Sequence, residues 1–423
     1  MKRLLTALAA AAITAAPALA QTVVVTNGRV VTNTDAGVIE NGTVIVRDGD
    51  IVAVGAGLEI PAGARTIDAG GGWITPGLFH PQTQLGLVEV GAESMTRDTE
   101  ADDSPFSAAI SVADGFNFDG NHIDEARIDG ITRFAIFPSV GRNNLAGRGA
   151  LADSTGLPGS LFAAEQFLVI DMARSGAATS GGSKPAAWAY LRAAMNDART
   201  YPGRYLSTQE GIVLNRTDAE AFEAAVRGEM PIVFLMDDDG DIRRLLAFKE
   251  ENPSLRIIIA GAAEAHQVAE ELAAADIPVI FDPMRNLPGS FDTLSSAMNA
   301  AAQLFDAGVE VAFTTLGSDI YFNPRLLTQH AGIARAHGAE WEDAFRAITL
   351  TPAELYGYGD RFGALAPGYA GDVVVWDGDP LEVMSAPTHV LIEGEVQSME
   401  TRQTRLRDRY REIRPEHAYA YHH

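Results

Sequence analysis

The sequence predicts an α/β chain built as a (β/α)8 barrel with strand-rich ends. Two observations carry that expectation. Through the middle of the chain, buried-type strands alternate with amphipathic helices, the grammar of βαβ units on a parallel sheet. Its repetition over most of the length favours closure into a barrel. Both ends read instead as short β hairpins. With 423 residues, the chain has room for one large barrel and a smaller domain.

Taken in order, residues 1–20 read as an export signal. Lys2 and Arg3 supply positive charge, residues 4–16 are apolar but too short and Ala-rich for a membrane span, and Ala18-Leu19-Ala20 is a small-x-small cleavage site. The expected mature chain starts at Gln21, and its expected location is the periplasm or the exterior. Residues 22–25 and 30–32 are strand-like around Asn27-Gly28, and 43–47 and 50–54 are strand-like around Asp48-Gly49; both pairs are type I′ turn signals. In the middle, strands at 133–137, 232–236, 255–260, 278–281 and 309–314 each follow a helical stretch, at 121–129, 219–227, 242–250, 263–274 and 294–306. Residues 372–376 form another buried-type strand, and 389–392 with 395–397 flank Glu393-Gly394 as a further hairpin. No later stretch is long and apolar enough to span a bilayer.

Composition narrows the function classes. There is no Cys, which excludes disulfides, thiolate metal sites and Cys nucleophiles. The net charge of −24 argues against nucleic acid and anionic lipid as partners, and solubility accounts for it well enough.

The chemistry-bearing stretch is Thr75-Pro76-Gly77-Leu78-Phe79-His80-Pro81-Gln82-Thr83-Gln84-Leu85-Gly86. It resembles the opening motif of the amidohydrolase superfamily, Pro-Gly-Leu-Ile-Asp-x-His-Thr-His-Leu-Gly. Ala347-Ile348-Thr349-Leu350-Thr351-Pro352-Ala353-Glu354-Leu355-Tyr356-Gly357 is similar to that family's late helix. Phe362-Gly363-Ala364-Leu365-Ala366-Pro367-Gly368-Tyr369-Ala370-Gly371-Asp372 is similar to its return strand. The resemblance covers nearly all of the mature chain and is strongest to the exported, imidazolonepropionase-like branch. It implies a TIM-like barrel with a small β-sandwich made from both chain ends: sandwich strands in 21–74 and 363–400, the barrel in 75–362, and a charged tail in 401–423.

The resemblance also implies a hydrolase of C–N bonds other than peptide bonds, with zinc or a similar metal held by two His of the first strand, one His each of the fifth and sixth, and an Asp of the eighth. In this sequence those places carry Gln82, Gln84, Leu235, Ala260 and Leu316, with Asp237 where a further His often stands, and the acid before the first pair is His80. Zinc hydrolysis needs imidazole or carboxylate donors around an open position. Leu and Ala supply none, and Gln offers a poor neutral oxygen. Lys184 and Lys249 lie away from strand ends, which argues against a Lys-carbamate bridge. The expectation is therefore no zinc and no cofactor: a metal-free pseudoenzyme that binds a small amide-type ligand or partners an active amidohydrolase relative, as a homo- or hetero-oligomer. The alternative is an active amidohydrolase or dipeptidase-like hydrolase with a non-standard site.

Further candidates surround the mouth. Asp237-Asp238-Asp239-Gly240-Asp241 follows the fifth strand directly. It reads either as a helix N-cap and first turn, or as oxygen ligands for a hard cation such as calcium. Asp237, Asp238 and His80 are the candidate catalytic groups; Gln82, Gln84, Arg142, Arg148 and Asp237 are the candidate ligand-binding groups. Glu89, Glu93, Arg97 and Asp98 lie in a long loop of the kind that often serves as a lid. Arg142 and Arg148 lie in a Gly/Asn-rich loop, 139–149, fit either for an anionic ligand or for a solvated turn. Six Arg between Arg402 and Arg414 make the C-terminal stretch basic, and His417, His422 and His423 follow it.

Overall fold

Val- and Ile-rich segments form the first strands because β-branched side chains pack well on a half-buried pleated surface. The computed structural model describes residues 22–205 and 211–411; the expected export signal and His417, His422 and His423 lie outside the described residues. Strands β1 (Thr22–Val31), β2 (Val38–Arg47), β3 (Asp50–Ala56), β4 (Arg65–Asp68) and β5 (Trp73–Pro76) precede eight barrel strands, β6 (Leu78–Thr83), β7 (Ile131–Ile136), β8 (Leu145–Asp153), β9 (Leu161–Asp171), β10 (Ile232–Met236), β11 (Ile257–Gly261), β12 (Val279–Phe281) and β13 (Val311–Phe313). Three more, β14 (Val373–Trp376), β15 (Pro387–Ile392) and β16 (Glu395–Val396), close the chain's sheet structure.

The two chain ends meet in one sheet of order β16-β15-β14-β5-β1-β2-β3, with β4 on β1. Strand β14 runs antiparallel to β5, Val374 opposite Thr75. Val23, Val44, Ile51, Ile74, Val373 and Leu391 pack together as its core. This is the small β-sandwich expected beside the barrel. The turns at Asp48-Gly49 and Glu393-Gly394 form as read, each with both residues at positive φ. Asn27-Gly28 does not. β1 runs unbroken through it, with an irregularity in its pairing to β2. Asn27 takes φ +60° and donates through Nδ2 to Asp68 Oδ1 at 2.9 Å. At Gly28 a Cβ would lie 2.6 Å from the Ile74 side chain. The dipeptide serves close packing within a bulged strand rather than chain reversal.

The barrel strands lie in the order of the chain from β6 to β13. All neighbours are parallel except at β8, which is antiparallel to both β7 and β9. The connections on either side of β8, residues 137–144 and 154–160, are too short for a parallel crossover. Hence β8 begins inside the stretch expected as a 139–149 loop. Helices α1 (Asn121–Ile128), α2 (Arg174–Thr179), α3 (Lys184–Arg199), α4 (Arg216–Val226), α5 (Asp239–Glu251), α6 (Ala269–Ala274), α7 (Ala300–Asp306), α8 (Leu327–Ala336), α9 (Trp341–Arg346) and α10 (Leu350–Leu355) accompany the strands. A last helix, α11 (Arg402–Arg411), ends the described chain. No described helix is long and apolar enough to cross a membrane.

Alternate strand residues divide two cores. Phe79, Ala135, Val169, Val233, Ile258, Ile280 and Ala312 pack together within the ring of strands. Their neighbours Phe134, Ile170, Phe234, Ile259, Phe281 and Phe313 pack with the helices. Edges β6 and β13 are joined where Thr314 Oγ1 donates to the Gln82 carbonyl at 3.3 Å. At the opposite end of the barrel, buried Arg133 donates to both carboxylate oxygens of Asp372 at 2.7 and 3.0 Å and to Glu393 at 3.2 Å. Asp372 precedes β14 and Glu393 sits in the last hairpin, so this joint ties the barrel to the sandwich. The guanidinium also lies over the rings of Phe362 and Phe162.

Candidate active site at the barrel mouth

In a barrel of this kind the strands' C-terminal ends form the functional face. Parallel pairing sets one row across it. Leu235 is in register with Asp171 on one side and Ala260 on the other, Ala260 with Ile280, and Ile280 with Ala312. Neighbours in register share a face of the sheet, so this row looks into the barrel. Four of its five members are apolar. Leu235 and Ala260, two of the five expected metal positions, pack with the interior cluster.

The row's single carboxylate, Asp171, is 3% exposed. Its Oδ1 accepts from Ala173 N at 2.8 Å and its Oδ2 from Ser175 Oγ at 2.6 Å. Burial raises its pKa, and nearby Asp237 adds to the shift, while those hydrogen bonds oppose it.

Strand β6 brings His80, Gln82 and Gln84. Gln84 Nε2 donates to Ser139 Oγ at 2.7 Å. Gln82 is 6% exposed, and its Oε1 is buried with no hydrogen-bond partner among the described residues. His80 is fully buried. Its Nε2 lies 3.1 Å from Thr315 Oγ1, whose proton goes to the Asp319 carbonyl, so the ring nitrogen donates. Nδ1 is left to accept from Gln82 N at 3.4 Å. A neutral imidazole satisfies this arrangement. Burial first, then the neighbouring His330 charge, pushes its pKa down to about 3. A ring so weakly basic is a poor proton acceptor near neutrality.

The acidic stretch after β10 divides among separate partners. Asp237 is clamped by Arg285 through two bonds of 3.0 and 3.1 Å and also accepts from Ala263 N. Asp238 caps α5 by accepting from Asp241 N at 3.0 Å. Asp241, nearly fully buried, is paired with Lys184 and Arg244. Asp238, Asp239 and Glu264 bring one carboxylate oxygen each within 4.8 Å of one another. Glu264 already accepts from the Asp239 and Ser295 amides, and Asp239 pairs with Arg243.

The two arginines separate. Arg148 lies on β8, where it pairs with Glu165 and donates to the Ala109 carbonyl at 2.8 Å. Arg142 is exposed and lines a polar cavity of about 550 Å³ with Ser107, Asn143, Tyr190, Asn215 and Asp218. Burial, aided by Asp218, pushes the Tyr190 phenol up to about 12.

Two further residues escaped the sequence reading. Asp282 directly follows β12; it accepts from Met284 N at 2.9 Å and, through Oδ2, from Leu316 N at 3.1 Å. Its Oδ1 lies 2.8 Å from His330 Nδ1, which is also 3.2 Å from the Thr314 carbonyl. His330 stands on α8 rather than at a strand end, and only the folded chain brings it to the ends of β12 and β13. The signal that was available is an acid directly after a buried apolar strand, Val279-Ile280-Phe281-Asp282.

The architecture and this mouth define a barrel hydrolase fold, and comparison with known proteins agrees. The sequence profile of the amidohydrolase family matches residues 131–397, and the chain belongs to that family. Within it the chain is imidazolonepropionase-like: it is 27% identical over 381 residues to an imidazolonepropionase of Acidiphilium cryptum, covering 83% of this chain and 90% of that one. A shorter match, 29% over 185 residues, is to amidohydrolase tasK of Hapsidospora irregularis, and takes in 42% of this chain but only 18% of tasK. The solved amidohydrolase of Thermotoga maritima MSB8 superposes with a TM-score of 0.79 at 23% identity, over 88% of this chain and 99% of that one; it shares the fold.

Zinc, as the family resemblance would place it, does not fit these side chains. Leu235 and Ala260 have no donor atom, Leu316 offers only its backbone, and the glutamines offer neutral amides. The carboxylates nearby, Asp171, Asp237 and Asp282, each already accept two or three hydrogen bonds.

Proposed function

We propose that this chain is a metal-free amidohydrolase-family protein, exported to the periplasm or secreted, that binds a small amide-type ligand in its barrel mouth. The observation that carries this is the row Asp171–Leu235–Ala260–Ile280–Ala312, apolar but for one hydrogen-bonded carboxylate. No water can be sharpened by a metal without nitrogen or carboxylate donors converging on one point. Gln82 supports the choice of ligand. A buried amide oxygen without a partner is costly, and a ligand N–H would satisfy it. Relatives of this chain are imidazolonepropionases; here the same scaffold would hold its ligand without cleaving it. Service as partner subunit to an active relative is compatible with this reading.

A second reading, hydrolysis by a non-standard site, has one observation in its favour. Asp282 orients His330 through Nδ1, the arrangement that leaves Nε2 as a metal-free general base.

Elemental analysis of the mature protein, prepared without chelators, decides the first point. The expected result is far less than one zinc, iron or manganese per chain, together with no turnover on a panel of amides, lactams and dipeptides. About one tightly held ion per chain defeats the proposal. Turnover that is metal-independent and abolished by His330→Gln establishes the second reading instead. For export, N-terminal sequencing of the periplasmic fraction should begin at Gln21; an uncleaved cytoplasmic chain refutes that part.

A further inference from the structure

Among the described elements, helix α11 is the one that is strongly basic, in an acidic protein. Its ten residues hold five Arg and one Asp. Removing its four net positive charges from the chain total of −24 leaves −28 on the remainder. None of its residues is buried. Its only ion pair among the described residues is internal, Arg407 with Asp408. Leu406 and Tyr410, one turn apart and so on one face, are 37% and 67% exposed. A short helix whose apolar pair stands among guanidinium groups, all but Arg407 without a carboxylate partner among the described residues, has the composition of an interface.

The complement lies on the same chain. The segment from Glu89 to Asp103, which follows β6 and borders the mouth, carries six acids against the single Arg97. Asp98, Asp102 and Asp103 form no ion pair among the described residues, and Glu93 is exposed. Within it Val90 is 54% and Met95 92% exposed. Here too two exposed apolar side chains stand in a charged segment, of the opposite sign. Among the described residues no ion pair joins the two segments within one chain.

We propose that α11 of one copy docks on the 89–103 segment of a second copy, with Leu406 and Tyr410 on Val90 and Met95. The proposed assembly is the reciprocal one, a two-fold dimer in which each copy gives its helix and receives its partner's. An anionic membrane is the weaker occupant, since the rest of the protein would be repelled by it. The dimer sets the basic helix of each copy at the rim of the other's barrel. The inference is independent of whether the mouth binds or cleaves its ligand.

Sedimentation velocity on the full mature chain is the test. A dimer at low salt should weaken at least tenfold in dissociation constant at ~1 M NaCl, where the Debye length falls to about 3 Å. The helix variant Arg402→Glu/Arg405→Glu/Arg409→Glu should be monomeric, as should the loop variant Glu93→Lys/Asp98→Lys/Asp102→Lys. Both sets combined in one chain should dimerise again. That rescue also separates lost contact from misfolding, with circular dichroism as a check on each variant. A wild-type monomer at micromolar concentration, a dimer indifferent to the helix charges, or no rescue by the combined variant overturns the proposal. So does a monomer that binds phosphatidylglycerol vesicles through α11.

Discussion

The two ends of the barrel bury polar groups under opposite conditions. At the sandwich end, the Arg133 guanidinium meets Asp372 on two bonds, Glu393 on a third and two aromatic faces. Asp153 adds a third carboxylate 3.8 Å from Nη1, so the joint between the domains is held from several sides. At the mouth, a row that could have carried ligands is apolar, and Gln82 presents a buried oxygen without a partner. Charges are buried at both ends, so burial alone does not mark function. What separates Arg133 from Gln82 is whether the buried group is satisfied by the chain itself; it is not a property of a whole end, since Arg127 Nε and Ser160 Oγ near the base are also buried without a partner among the described residues.

The largest expected effect comes from acid at the mouth. His80 titrates near 6.5 when unfolded and at about 3 when folded. The unfolded chain therefore binds the proton first. Stability from keeping this ring neutral is complete above 6.5 and is lost as pH falls from 6.5 towards 3, by at most about 5 kcal/mol. Urea midpoints measured across that window should fall more steeply for the native chain than for His80→Gln. Equal slopes would show that the ring is not held neutral by the fold.

At the other end, Arg133→Met strands Asp372, a buried carboxylate, without its cation. The expected loss is about 3–5 kcal/mol in urea unfolding, and Arg133→Met combined with Asp372→Leu should recover a substantial part of it. A loss below about 1 kcal/mol for the single variant would mean that the joint is wetter than its geometry implies. Asp129, just before β7, has the opposite pH signature to His80. Burial, opposed by Arg325 and aided by Glu125, raises its carboxyl to about 6. Its folded form holds the proton longer than the unfolded one, so stability declines as pH rises from about 4 to 6 and is then flat. Asp129→Asn should remove that decline and stabilise the protein at pH 7 by about 1–2 kcal/mol, discounted for partial exposure.

Much of this architecture was legible because it is written locally. The Asp48-Gly49 and Glu393-Gly394 turns, the α5 cap at Asp238 and the strand from Val373 to Trp376 each depend on residues adjacent in sequence. The failures are places where a distant partner decides. Asn27-Gly28 has hairpin chemistry, yet Asp68 and the close approach of Ile74 hold it within a strand. Strand β8 looked like a loop because its Gly residues are poor strand formers; at Gly149 the Phe167 ring occupies the space a Cβ would need. At the mouth, Gln82 and Gln84 could be placed from the motif around them. Asp282 and His330 could not be paired from sequence, since 48 positions separate them and one stands on a helix. Arg285 was invisible as Asp237's partner for the same reason.

The smallest expected effect discriminates most sharply between the two ends. Gln82→Met removes the unpartnered oxygen while keeping an unbranched side chain of similar length. Losing a buried acceptor that has no donor should stabilise the free protein by about 1 kcal/mol, since the desolvation penalty disappears with it. At the Arg133 joint the equivalent apolar replacement destabilises. The same variant should bind amide ligands at least tenfold more weakly, because the acceptor is what the ligand N–H would meet. Unfolding midpoints with and without an amide panel read both quantities. A Gln82→Met protein that is less stable and binds as before would mean that the oxygen is served by solvent, and that the mouth is complete without a ligand.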